Sequence, residues 1–329
     1  MPLSDKLKKR LKAIVILALT TSGLVIVWLA YFFIANEAPI LQGEVLHHIQ
    51  YSDTHKLDIY LPTTVVHDES PVVVYFHGGA WVMGRKEALN VNRYHGAINT
   101  LRNRGYTIIS PDYTLADGTH SPFPGCVLDA YSALIWIQEH ADTYGLDMDN
   151  LGLMGESAGA HIAMMAAYGQ PQDFSLELEI PHINYVIDVY GPSDLELLYQ
   201  SQMLDSLQSL LEKAPTAIRS ELDITRQLFG FDPRSDSLKA VQFMQTYSPM
   251  QYITAQAPPT LIIHGNIDKI VPFPQSIALK ERLDTLGIPY EFHELEGTGH
   301  AFRQATPSQK DSVQLWLVDF IQRHYLLQN

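Results

Sequence analysis

A single cysteine, Cys126, stands among 329 residues, so no intrachain disulfide can form and the fold must hold together without cross-links. It lies in an apolar, helix-like stretch, which marks it as a small buried residue rather than a nucleophile. Positive charge is also short: Lys and Arg number 22 against 36 Asp and Glu, for a net charge of −14. Neutralising phosphates takes clustered cations, and that shortage excludes a nucleic-acid partner. There is no internal repeat and no low-complexity tract. No spacing of His, Asp or Glu suits a metal, because the adjacent His47 and His48 fall on an expected strand and should point to opposite faces. The sequence therefore calls for neither metal nor organic cofactor.

What is present begins at the N-terminus. Lys6, Lys8, Lys9, Arg10 and Lys12 precede a run from Ala13 to Asn36 without a charged residue, 24 positions by count. A helix needs about 20 apolar residues to cross a bilayer, and a cleavable signal typically has only about 7–15. Trp28, Tyr31, Phe32 and Phe33 crowd the far end, where aromatic side chains favour the interface. The expectation is a basic cytoplasmic tail over 1–12, a transmembrane anchor over 13–36, a linker over 37–43, and an extracytoplasmic catalytic domain over 44–329. The alternative is secretion after signal cleavage.

Beyond the linker, Glu44–Tyr51 and Lys56–Leu61 alternate as a half-buried antiparallel pair would. The next runs are continuously apolar: Pro71–Phe76, Tyr106–Ser110, Leu151–Met154, Tyr185–Tyr190 and Thr260–His264. Such runs suit parallel strands covered on both faces. Helical segments fall between and after them, at about 86–103, 123–144, 158–168, 274–286 and 308–326. Strands alternating with helices call for an α/β fold, a doubly wound and mostly parallel sheet with the early hairpin as its antiparallel edge. Residues 194–246 break the rhythm. Leu195, Leu198, Leu204, Leu207, Leu210 and Leu211 suggest short amphipathic helices, a helical insertion placed to act as a cap or simply to pack.

The chemistry gathers at the strand ends. Gly155-Glu156-Ser157-Ala158-Gly159 follows one strand and opens a helix, the context in which a serine is exposed on a sharp turn as a nucleophile. His77-Gly78-Gly79-Ala80-Trp81 follows another strand. Its glycines expose backbone N–H groups to a reacting carbonyl oxygen, making Gly78, Gly79 and Ala158 the expected oxyanion donors. His77 is expected to brace this loop, and Trp81 and Met83 to line a substrate pocket or pack in the core. Asp268 and His300 each sit on a loop just past a strand, so with Ser157 all three can meet at one sheet edge. His300 would serve as base and Asp268 as its orienting acid, with Asp194 in reserve.

These motifs resemble the α/β-hydrolase esterase and lipase families, especially the hormone-sensitive-lipase-like and acetyl-esterase-like bacterial enzymes. The resemblance runs from about residue 44 to the C-terminus. It includes Asp112-Tyr113 with Leu115-Ala116, Asp268 with Val271-Pro272, and Gly299-His300. Two departures stand out: Ala80 where many members have a third glycine, and Ala160 after Gly159. The resemblance implies a serine carboxylic-ester hydrolase acting through an acyl-enzyme on small or short-acyl esters, among them acetylated or feruloylated sugars and lipid-derived esters. An amidase, peptidase or formamidase would use the same triad. A non-catalytic binding protein would keep the fold without needing the triad.

Overall fold

The chain enters the sheet through a hairpin. Val45–Gln50 (β1) and Lys56–Tyr60 (β2) pair antiparallel, and β2 pairs antiparallel in turn with Thr107–Pro111 (β4). The other strands are Ser70–Phe76 (β3), Leu146–Glu156 (β5), Tyr185–Val189 (β6), Thr260–Gly265 (β7) and Tyr290–Leu295 (β8). They run parallel in an eight-stranded sheet of order β1-β2-β4-β3-β5-β6-β7-β8. The computed structural model describes residues 43–91, 93–118, 120–200 and 223–326. The expected tail and anchor, residues 37–42 of the expected linker, and Leu204, Leu207, Leu210 and Leu211 lie outside them. No helix among the described residues is long and apolar enough to cross a membrane.

The continuous apolar runs are buried because helices cover both faces of the sheet. In chain order these are His95–Asn103 (α1), Gly125–Glu139 (α2), Ala141–Tyr144 (α3), Ala158–Tyr168 (α4), Leu195–Tyr199 (α5), Ile224–Phe229 (α6), Ser237–Thr246 (α7), Pro274–Leu286 (α8) and Pro307–Arg323 (α9). Successive side chains of a strand point to opposite faces, and β3 divides accordingly. Val72, Val74 and Phe76 join a core with α2, α4 and α8, while Val73 and Tyr75 join one with α1 and α9. Cys126 is buried in the first of these cores.

Several expected bounds shift. The helix expected near 86–103 splits into a short 3₁₀ turn at Lys86–Val91 and α1. The strand expected at Leu151–Met154 extends back to Leu146, its register against β3 shifting between Pro71 and Val72. The insertion contributes α5, α6 and α7, each opened by an aspartate, Asp194, Asp223 and Asp236, whose carboxylate accepts free N–H groups of the first turn. The opposite-face expectation for His47 and His48 is corrected. A bulge between Leu46 and Ile49, with His48 at φ 58°, turns both rings toward one ion pair. His47 Nδ1 lies 2.9 Å from an Asp58 oxygen, and His48 Nδ1 lies 2.9 Å from Lys86 Nζ, which itself pairs with Asp58.

One strand glycine is required by its neighbour. A Cβ at Gly152 would stand 2.0 Å from the ring of the buried Tyr185, its partner across β5 and β6. Gly152→Ala should therefore lower stability by about 1–3 kcal/mol, read as a reduced urea midpoint at unchanged slope. An unshifted midpoint would contradict this packing.

Candidate active site

The turn from β5 into α4 is tight because three chain segments almost touch there. A Cβ on Gly155 would fall 2.2 Å from the Gly159 carbonyl oxygen, and one on Gly159 would fall 2.1 Å from that of Phe76. Ser157 takes φ 53° and ψ −121°, a backbone that a side chain adopts only under strain. Its N–H donates to Val189 O at 2.9 Å, and its carbonyl accepts from His161 N at 3.1 Å. Held this way at the end of β5, the serine presents its hydroxyl above the C-terminal edge of the sheet.

His300 and Asp268 come to the same edge from the loops after β8 and β7. His300 Nε2 lies 3.1 Å from Ser157 Oγ, and its Nδ1 lies 2.7 Å from Asp268 Oδ2. With Nδ1 donating to the carboxylate, Nε2 is left to accept from the serine hydroxyl. Asp268 Oδ1 accepts from Ile270 N at 2.8 Å and Val271 N at 3.0 Å. A second histidine, missed as a contributor in the sequence, completes the acid's shell. His264 Nε2 lies 3.0 Å from Val271 O and 3.3 Å from Asp268 Oδ2, while Ser276 Oγ donates to its Nδ1 at 2.6 Å. Burial alone would raise the Asp268 carboxyl. The hydrogen bonds from His264 and His300 outweigh it and hold the group at about 2.

The glycine loop lies directly over Ser157. A Cβ on Gly78 would reach 3.1 Å from Glu156 O and 3.5 Å from Ser157 Cβ. Gly79 at φ 131° and Ala80 at φ 53° turn the chain, and Gly79 O accepts from Val82 N and Met83 N. His77 braces the loop as expected: it is buried, stacks on Tyr113 at 4.3 Å, and its carbonyl accepts from Tyr113 Oη at 2.7 Å. Asp194, the reserve acid, has an oxygen bound to the N–H groups of Glu196 and Leu197 and serves as a helix cap instead.

A cavity of about 110 Å³ leads off from Ser157. Ala80, Trp81, Ala158, Phe123, Phe229 and Phe243 are among its walls, with Leu195, Leu198 and Leu228 from the insertion and Ile270 and Val271 from the acid's loop. Trp81 is one of these walls, whereas Met83 is not among them and is 64% exposed. His161, fully buried behind Trp81, donates from Nε2 to Tyr247 O at 2.7 Å, and burial pushes it down to about 4, so it stays neutral.

Residues 57–283 match the BD-FAE family. Esterase LipC of Mycobacterium tuberculosis is 26% identical over 255 residues, 75% of this chain and 56% of its own length. Probable carboxylic ester hydrolase LipM of the same organism is 29% identical over 280 residues, 82% and 56% of the respective lengths. The chain therefore spans little more than half of these two relatives. The crystal structure of Esterase B from Lactobacillus Rhamnosis (HN001) shares the fold, with a TM-score of 0.66 at 18% identity over 93% of this chain and 94% of that one.

The depressed Asp268 carboxyl makes a stability prediction with a definite sign. Its contribution is full above the ordinary value of 3.8 and is lost as pH falls through about 2. Asp268→Asn should cost on the order of 2 kcal/mol near neutrality. In urea unfolding, that gap should close on acidification, and a gap independent of pH would contradict the assignment.

Proposed function

The chain belongs to the BD-FAE family of α/β-hydrolase esterases, and from that premise we propose that it hydrolyses carboxylic esters through an acyl-enzyme on Ser157. The observation that carries the reading is the hydrogen-bonded relay from Ser157 Oγ through His300 to Asp268. His300 Nε2 takes the serine proton as Oγ attacks the ester carbonyl. Asp268 keeps the imidazole in the receptive tautomer and steadies its cation. The N–H groups of Gly78, Gly79 and Ala158 receive the negative charge that forms on the carbonyl oxygen, a donor of this kind being worth about 3 kcal/mol. The imidazolium then gives its proton to the departing alcohol, and water, activated by the same histidine, releases the acid.

The cavity supports a reading of the substrate. Its wall includes the nucleophile and residues of the glycine loop, Ala80 and Trp81, but not His300. The leaving alcohol must stay within reach of His300 Nε2, so the cavity receives the acyl side. Its lining is aliphatic and aromatic, and it favours an apolar acyl group longer than acetyl. A sugar, which needs hydrogen-bonding partners, belongs on the open alcohol side.

The basic start and the uncharged run over 13–36 support a membrane tether with the catalytic domain outside the inner face. The chain enters β1 at Val45, beside Tyr60 of β2 and so at the edge opposite Ser157. A tether there would leave the cavity mouth facing away from the bilayer.

Isomeric esters test the acyl assignment at equal hydrophobicity. Ethyl hexanoate should exceed hexyl acetate in kcat/KM by about tenfold or more, from burial of the extra acyl methylenes, and Ser157→Ala should abolish both. Preference for hexyl acetate would place the cavity on the alcohol side. No ester turnover by the folded protein would sink the esterase reading and favour amide substrates.

A further inference from the structure

Tyr190, the residue just past β6, sits at φ 45°. A tyrosine in that left-handed region costs about 1–3 kcal/mol, and such strain persists only where its surroundings enforce it. The consequence is a side chain that spans two parts of the site. Its ring lies 4.9 Å from the His300 ring and 5.1 Å from that of Phe302. Its hydroxyl reaches under the nucleophile's turn, where it donates to the Glu156 carboxylate and accepts from Arg93 Nη1 at 2.6 Å.

Glu156 is the unspecified position of the Gly-x-Ser-x-Gly motif. The structure gives it a built environment: Arg93 pairs with it, Tyr75 Oη donates to Oε1 at 2.8 Å, and Tyr94 Oη lies 3.3 Å from Oε2. Burial by itself would raise this carboxyl, but Arg93 and the three hydroxyls outweigh burial and keep it ionised. An ionised, multiply bonded carboxylate is a rigid anchor, because every departure of a donor leaves buried charge unsatisfied. That anchor grips the residue next to Ser157 and, through Tyr190, the flank of His300.

The bond from His300 Nδ1 to Asp268 fixes one atom of the imidazole but leaves the ring free to tilt about it. Tyr190, itself backed by Phe302, limits that tilt. Resting on the active-site reading above, we propose that Tyr190, clamped by Glu156 and Arg93, is a positioning residue that holds the His300 imidazole in line with Ser157 Oγ. It does not line the acyl cavity, so its influence falls on the chemical step rather than on substrate binding.

Tyr190→Phe keeps the ring and frees it from the clamp. Misplacement of a catalytic group by about 1 Å costs up to about 100-fold. A partial loosening should therefore lower kcat about tenfold with KM changed less than about twofold. Glu156→Gln should act in the same direction, and the low-field imidazole N–H resonance of His300 should broaden in both. Tyr168→Phe, which removes another buried hydroxyl, bonded to Thr260 at 2.8 Å, is the control for lost stability and should leave kcat and the resonance alone. Folded Tyr190→Phe with wild-type kcat and an unchanged resonance would overturn the proposal, as would an equal loss in Tyr168→Phe. Ser157→Ala separates the two layers: retained turnover there would sink the active-site reading itself, whereas its loss beside a fully active Tyr190→Phe sinks only this inference.

Discussion

The close approach of three backbone segments at the nucleophile's turn is the constraint on which the rest of the site depends. Phe76 at the end of β3, Gly155 at the end of β5 and Gly159 in the first turn of α4 leave no room for a single methyl group. The pairing of β3 with β5 brings the glycine loop over the serine, because the two strands are neighbours in register: Phe76 faces Gly155. The glycine loop and Ser157 are thus set by one strand pair. The strained Ser157 backbone is held by this packing and by its bond to Val189, the last residue of β6. The pairing of β6 with β7 extends the same edge toward Asp268.

Charge around the site is arranged in two hydrogen-bonded shells, which meet where the Tyr190 ring packs against His300. Asp268 has its donors from His264, His300 and two backbone N–H groups. Glu156 has Arg93 and three tyrosines. Asp188, buried mid-strand in β6 with a single donor from Gly191, is the contrasting case, and burial pushes it up to about 7. A carboxylate is ionised here where donors surround it and drifts toward neutrality where they do not. The cavity beside Ser157 is nearly all apolar, and it touches the Asp268 shell only through Ile270 and Val271, whose backbone N–H groups turn toward the carboxylate.

Much of this was legible in the sequence because local pattern and long-range packing agree. The apolar runs became parallel strands since each is covered on both faces, and the chain order serine, aspartate, histidine brought those residues to one edge. What escaped was set by contacts between distant residues. The environment of Glu156 is built from Arg93, Tyr94 and Tyr190, which lie far from it in sequence. The approach of His264 to Asp268 depends on the loop between them. His47 and His48 were misplaced by a bulge that inverts the usual alternation. Ala80 shows the reverse case: the missing third glycine was visible, but only the structure shows the alanine at φ 53°.

The central claim is that Ser157 is a nucleophile activated by His300. Reaction with a fluorophosphonate, followed by peptide mass analysis, tests it without assuming any substrate. The account predicts one adduct per chain, on Ser157, forming far more slowly in His300→Ala. A folded protein that takes no label, or takes it equally fast without His300, would contradict it.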